Sequence, residues 1–82
     1  MTNTTLLQDA ISKSGVTVTW LAHELGISRE GLYNKINGKT EFKASEVVSL
    51  TRLLHLNQAK REQIFLLNNV NIIHYLALSN SI

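Results

Sequence analysis

The chain predicts an all-α fold, a compact bundle of about five helices, and three observations carry that expectation. Apolar side chains recur three and four positions apart along most of the sequence. Asparagine, serine or threonine stands where most of the periodic runs begin, and glycine or asparagine where several of them end. No internal repeat, low-complexity tract or Pro-rich linker separates the runs, so the elements belong to one packed unit.

Thr4 or Thr5 is placed to cap a first helix whose Leu6, Leu7, Ala10 and Ile11 form a two-row stripe, and Ser14-Gly15 closes it. Val16 then points into the core, and Thr17 caps a second helix with Leu21, Ala22 and Leu25 on one face. Gly26 supplies a left-handed turn and Ile27 buries the corner. Ser28 caps a third helix running from about Arg29 to Ile36, where Leu32 and Ile36 carry the apolar face. Ala22 and Gly31 are small where these two helices are expected to approach closely, while Arg29, Glu30, Tyr33 and Asn34 stay on the outer face.

Asn37-Gly38 ends the third helix, and a loop with Thr40 and Phe42 follows. Ala44 to Leu54 is expected as the fourth helix, with Val47, Val48, Leu50, Thr51 and Leu54 available for packing and Glu46 well placed against the positive end of the helix dipole. Asn57 caps a fifth helix, about Gln58 to Leu67, contributing Ile64, Phe65 and Leu67. The last segment, Val70 to Ile82, is apolar but ambiguous: Ile72, Ile73, Leu76 and Ala77 suit a helix, the reading adopted, while its β-branched residues suit a strand. It serves either to cover the bundle or as a seam between two chains.

Eighty-two residues make one small domain whose modest core would gain from pairing with a second copy. The absence of cysteine removes disulfides and thiolate metal sites and fits a reducing cytoplasm. His23, His55 and His74 are too widely spaced, and too poor in carboxylate or histidine neighbours, to form a metal site. Leu6-Leu7 runs into Gln8-Asp9, so no signal peptide is visible, and Val70 to Leu78 is too short for a membrane span. No nucleophile-base-orienter set, phosphate-binding Gly-rich loop or spaced acid pair is present, so neither catalysis nor a cofactor is expected. A formal net charge of +2 is compatible with nucleic acid without establishing it. Its distribution is more telling, because Arg29, Lys35, Lys39 and Lys43 cluster in or just after the third helix.

The run from Thr17 to Lys39 resembles the helix-turn-helix of the lambda-repressor/Cro superfamily, particularly the small Cro-like regulators of temperate phages of Gram-positive bacteria. The likeness rests on Leu21-Ala22, Leu25-Gly26-Ile27-Ser28, Leu32-Tyr33 and Ile36-Asn37-Gly38-Lys39. It continues through Phe42, Ser45-Glu46-Val47-Val48, Leu50, Leu53-Leu54 and Leu56. It covers residues 1–68, the helix-turn-helix domain, and leaves 69–82 as a C-terminal extension for dimerisation or for covering the core.

The resemblance implies a DNA-binding transcriptional regulator that occupies a double-stranded operator, as a homodimer where it pairs. Ser28, Arg29, Glu30, Tyr33 and Asn34 are then the candidate base readers: Arg29 for guanine, Asn34 for adenine, Glu30 for cytosine or as an orienter of Arg29. Tyr33 is placed for a phosphate or a thymine methyl. Asn37, Gly38 and Lys39 are candidate phosphate anchors through loop amides and an ammonium, with Thr17, Lys35 and Lys43 in support. The chain departs from the family at the second helix, where a polar residue, commonly glutamine, is replaced by Val18 and the cap-completing acid by Trp20. Those two apolar groups either pack against a neighbouring helix or form a protein-contacting patch. The second possibility keeps an alternative open, an antirepressor that modulates the genetic switch by binding a partner phage repressor through its helix-turn-helix surface.

Overall fold

The computed structural model describes residues 2–66. The extension 69–82, its expected helix, and Leu67 all lie outside the described residues. Within them the chain is an all-α bundle: α1 (Thr4–Ser14), α2 (Val18–Leu25), α3 (Arg29–Ile36), α4 (Ala44–Leu53) and α5 (Gln58–Phe65), with no strand among the described residues. None of these helices is long and apolar enough to cross a membrane.

Most helix starts fall where short polar side chains can satisfy otherwise orphaned amides. Thr17 Oγ1 accepts from the Trp20 N–H at 3.0 Å, Ser28 Oγ from the Gly31 N–H at 2.9 Å, and Asn57 Oδ1 from the Lys60 N–H at 2.7 Å. The first helix differs from expectation. Its cap is Asn3, whose Oδ1 accepts from the Leu6 N–H at 3.1 Å, so Thr4 and Thr5 lie inside the helix. Asn3 also donates its own N–H to the Ile64 carbonyl, which ties the chain start to the end of α5 and selects it over the threonines.

Three helices end in one motif, in which a residue with positive φ lets two successive amides turn back onto the last carbonyls. After α2, Gly26 (φ 70°) donates to His23 O at 3.1 Å and Ile27 to Ala22 O at 3.0 Å. After α3, Gly38 (φ 81°) donates to Lys35 O at 3.2 Å and Lys39 to Asn34 O at 2.8 Å. After α4 the left-handed position is filled by His55 (φ 54°), with His55 N–H on Arg52 O at 3.2 Å and Leu56 N–H on Thr51 O at 2.9 Å. This turn ends α4 at Leu53, one residue short of expectation, and α5 stops at Phe65, two residues short.

The core gathers Leu7 and Ile11 from α1, Leu21 and Ala22 from α2, Leu32 and Ile36 from α3, Val47 and Leu50 from α4, and Ile64 and Phe65 from α5. Leu54 and the loop residue Phe42 complete it, Phe42 meeting Phe65 edge to face at 5.7 Å between centroids. Leu7, Leu21, Leu32 and Leu50 are fully buried, each contributing roughly 1.5–3 kcal/mol by area removed from water. Leu25 is only half-buried, since it closes α2 and the chain turns outward at Gly26. Val48 and Thr51, expected to pack, are also half-buried, and Thr51 returns its hydroxyl to Val47 O at 2.8 Å. The small size of Gly31 has a different reason from the one expected. A Cβ there meets Ser28 Oγ at 3.0 Å and no atom of α2, so the constraint is its own helix cap, whereas Ala22 is buried between the helices.

Candidate nucleic-acid interface

The α2-Gly26-Ile27-α3 corner fixes how α3 is presented. Ala22 O receives the Ile27 amide, Ile27 packs against the core, and Ser28 starts α3 at once, so little slack remains between the two helices. With Leu32 and Ile36 turned inward, Arg29, Tyr33, Glu30 and Asn34 spread over an arc of about 140° at 3.6 residues per turn. Arg29, Glu30 and Tyr33 are exposed and Asn34 is half-exposed.

The Arg29 guanidinium lies 5.5 Å from the Tyr33 ring centroid, one helical turn along. The Tyr33 ring is thus a neighbour of Arg29, while the sequence offers Glu30 either as its orienter or as a reader of cytosine. A guanidinium carries its N–H donors in one plane, the shape that matches a planar acceptor pair. Ser28 and Thr17 use their oxygens as cap acceptors, which leaves each hydroxyl hydrogen available for donation.

The loop after α3 departs from expectation in one respect. The amides of Asn37, Gly38 and Lys39 all return to helix carbonyls, Asn37 to Tyr33 O at 2.9 Å and the other two in the turn already described. Gly38 therefore supplies the positive φ of the turn and no free amide, and the polar groups this loop exposes are the Asn37 side chain and the Lys39 and Lys43 ammonium groups. Asn37 is oriented by Gln8 of α1, whose Nε2 donates to Asn37 Oδ1 at 3.3 Å, leaving the Asn37 amide hydrogens to face elsewhere.

Lys35 does not join this surface. Its side chain is 14% exposed, its Nζ donates to Glu46 Oε1 at 2.7 Å and to the Glu41 carbonyl at 3.2 Å, and it lies 5.9 Å from the Phe42 ring centroid. An ammonium held this way is withdrawn from any phosphate. Sequence reasoning missed both Glu46 as its partner and Gln8 as the orienter of Asn37. The Lys43-to-Glu46 spacing, cap residue to third helical residue, was the available signal for a carboxylate reaching back across the loop.

The two apolar replacements on α2 part company. Val18 is half-buried and packs on the core, beside a shallow apolar groove of about 210 Å³ whose walls include Ile11, Tyr33 and Ile36. Trp20 is 41% exposed. No group of three or more histidine, cysteine, aspartate or glutamate side chains could hold a metal among the described residues. Comparison of the chain with protein-family models, curated proteins and solved structures finds no match in any of the three.

Proposed function

We propose that this chain is a sequence-specific DNA-binding transcriptional regulator, a Cro-like repressor of phage or prophage genes acting by operator occupancy in the bacterial cytoplasm. The observation that carries the reading is the outer face of α3. It presents Arg29 beside the Tyr33 ring and then Asn34 on a short helix held at a tight glycine corner, with Asn37 and Lys39 just past its end. Such a helix fits the width of a major groove, and a guanidinium, a carboxamide and a carboxylate provide the donor and acceptor pairs that distinguish base edges. Lys39, Lys43 and Asn37 flank it as the sequence-independent phosphate contacts that set register. In this scheme α3 reads and the 37–43 loop anchors.

The test is fluorescence-anisotropy titration of the protein against the DNA beside its own gene and against a scrambled duplex, over a series of salt concentrations. Selective binding with a steep salt dependence supports the reading. Equal weak binding to both duplexes contradicts it.

One observation favours a second reading. Trp20 exposes an indole at the first turn of α2, next to the face that would approach DNA, and a large exposed aromatic is a common anchor of protein interfaces. In that reading the chain is an antirepressor whose partner is a phage repressor protein.

A further inference from the structure

We infer that Glu46 is a positioning residue for the 37–43 loop, acting through Lys35, and that this buried pair sets the geometry with which the loop meets a phosphate backbone. The functional consequence rests on the DNA-binding reading; the positioning itself does not.

Glu46 is the one charged side chain that is buried among the described residues. Its Oε1 accepts from Lys35 Nζ at 2.7 Å and from the Lys43 N–H at 2.8 Å. Lys35 extends the connection by donating to the Glu41 carbonyl at 3.2 Å. A single carboxylate oxygen thus joins the end of α3, the interior of the loop and the loop's last residue. Lys43 cannot return a capping bond, since an ammonium has no lone pair to offer, so α4 depends on Glu46 for this half of its cap.

The first half of the loop is held by the Asn37 to Thr40 amides on α3 carbonyls and by Gln8 on Asn37, and Phe42 by Phe65. The clamp adds the bonds at the Glu41 carbonyl and the Lys43 amide, in the half of the loop that leads into α4. Burying two opposite charges at 14% and 8% side-chain exposure largely cancels attraction against desolvation, so the pair specifies shape more than it adds stability. A surface lysine at position 35 would supply one more phosphate contact. Here that charge is used to hold the backbone that carries the other two.

The experiment compares the full chain with Glu46→Gln and with the double variant Lys35→Met/Glu46→Gln, which leaves no unpaired buried charge. NMR amide exchange at Lys43, whose N–H the Glu46 carboxylate accepts, is measured relative to Leu50 in the core, together with duplex affinity across salt concentrations. In the double variant this loop amide should exchange about tenfold faster relative to Leu50, with helical content unchanged. Affinity should fall by about tenfold on specific and scrambled duplexes alike, because anchoring and not reading is loosened. Loop exchange that follows Leu50 would overturn the positioning role. So would a rise in Glu46→Gln affinity with a salt slope steeper by about one, which would mean Lys35 had been released to a phosphate. Should the wild-type chain bind no duplex at all, the DNA-binding reading fails while the exchange ratio still decides the clamp.

Discussion

His55 occupies a backbone conformation that α2 and α3 assign to glycine, and replacing it tests whether the turn or the side chain carries the cost. A left-handed conformation costs an L-residue roughly 1–2 kcal/mol, somewhat less for histidine than for a β-branched residue. Glycine removes that strain but gives back roughly 0.4–1 kcal/mol through the greater freedom of the unfolded chain. His55 is exposed at φ 54° and outside the buried core, so little packing is lost. His55→Gly should therefore stabilise the domain by roughly 0.5–1 kcal/mol, raising its melting temperature by about 2–8 °C.

Gly26→Ala provides the opposite sign in the same motif. Its φ is 70° and an added Cβ meets nothing within 4 Å, so the roughly 1 kcal/mol of destabilisation expected there is conformational and not steric. Urea denaturation followed by circular dichroism, with unchanged m-values, measures both variants. Loss of stability in His55→Gly, or no change in Gly26→Ala, would refute the argument that φ dominates at these turns.

Leu32→Ala empties a fully buried site at the centre of α3 and should cost on the order of 2–5 kcal/mol; an unchanged denaturation midpoint would remove Leu32 from the core. On DNA, Arg29→Ala should weaken the preferred site by roughly 1–3 kcal/mol and relax choice at one base pair, while Lys39→Ala should weaken all duplexes similarly and lower the salt slope by about one. Specific and scrambled duplexes losing equally in Arg29→Ala would make Arg29 an anchor and not a reader. Trp20→Ala decides the antirepressor reading by calorimetry against the partner repressor: abolition of the heterocomplex with the fold intact supports it, and no heat on mixing with the unmodified protein sinks it.

What the sequence disclosed depended on how local the interaction was. Thr17, Ser28 and Asn57 each cap an amide three residues ahead, so spacing alone was enough to find them, as it was for the glycine turn at Gly26. Leu21, Leu32, Val47 and Leu54 are core residues because helical periodicity aligns them, whereas Leu25 obeys the same period but sits where the chain leaves the bundle. The sequence offers Lys35, within α3, as a supporting phosphate contact. Its partner lies eleven residues away across a loop, and a pairing at that distance leaves no periodic trace. Gln8 and Asn37, twenty-nine residues apart, are still less visible. Asn3 was passed over for Thr4 and Thr5 because the bond that favours it reaches Ile64 at the far end of the fold.

That bond between Asn3 and the Ile64 carbonyl has a consequence for synthesis. α1 packs against α5, and the amide at its start needs a carbonyl some sixty positions later in the chain. Until α5 is available, the stripe of Leu7 and Ile11 lacks one of its two main supports, the other being α3. A nascent chain ending within α4 thus carries an uncovered apolar edge, the kind of surface that chaperones bind and that drives association between incomplete chains. A released fragment ending before residue 58 should therefore associate more readily than one ending after residue 66, although both contain the α2–α3 corner.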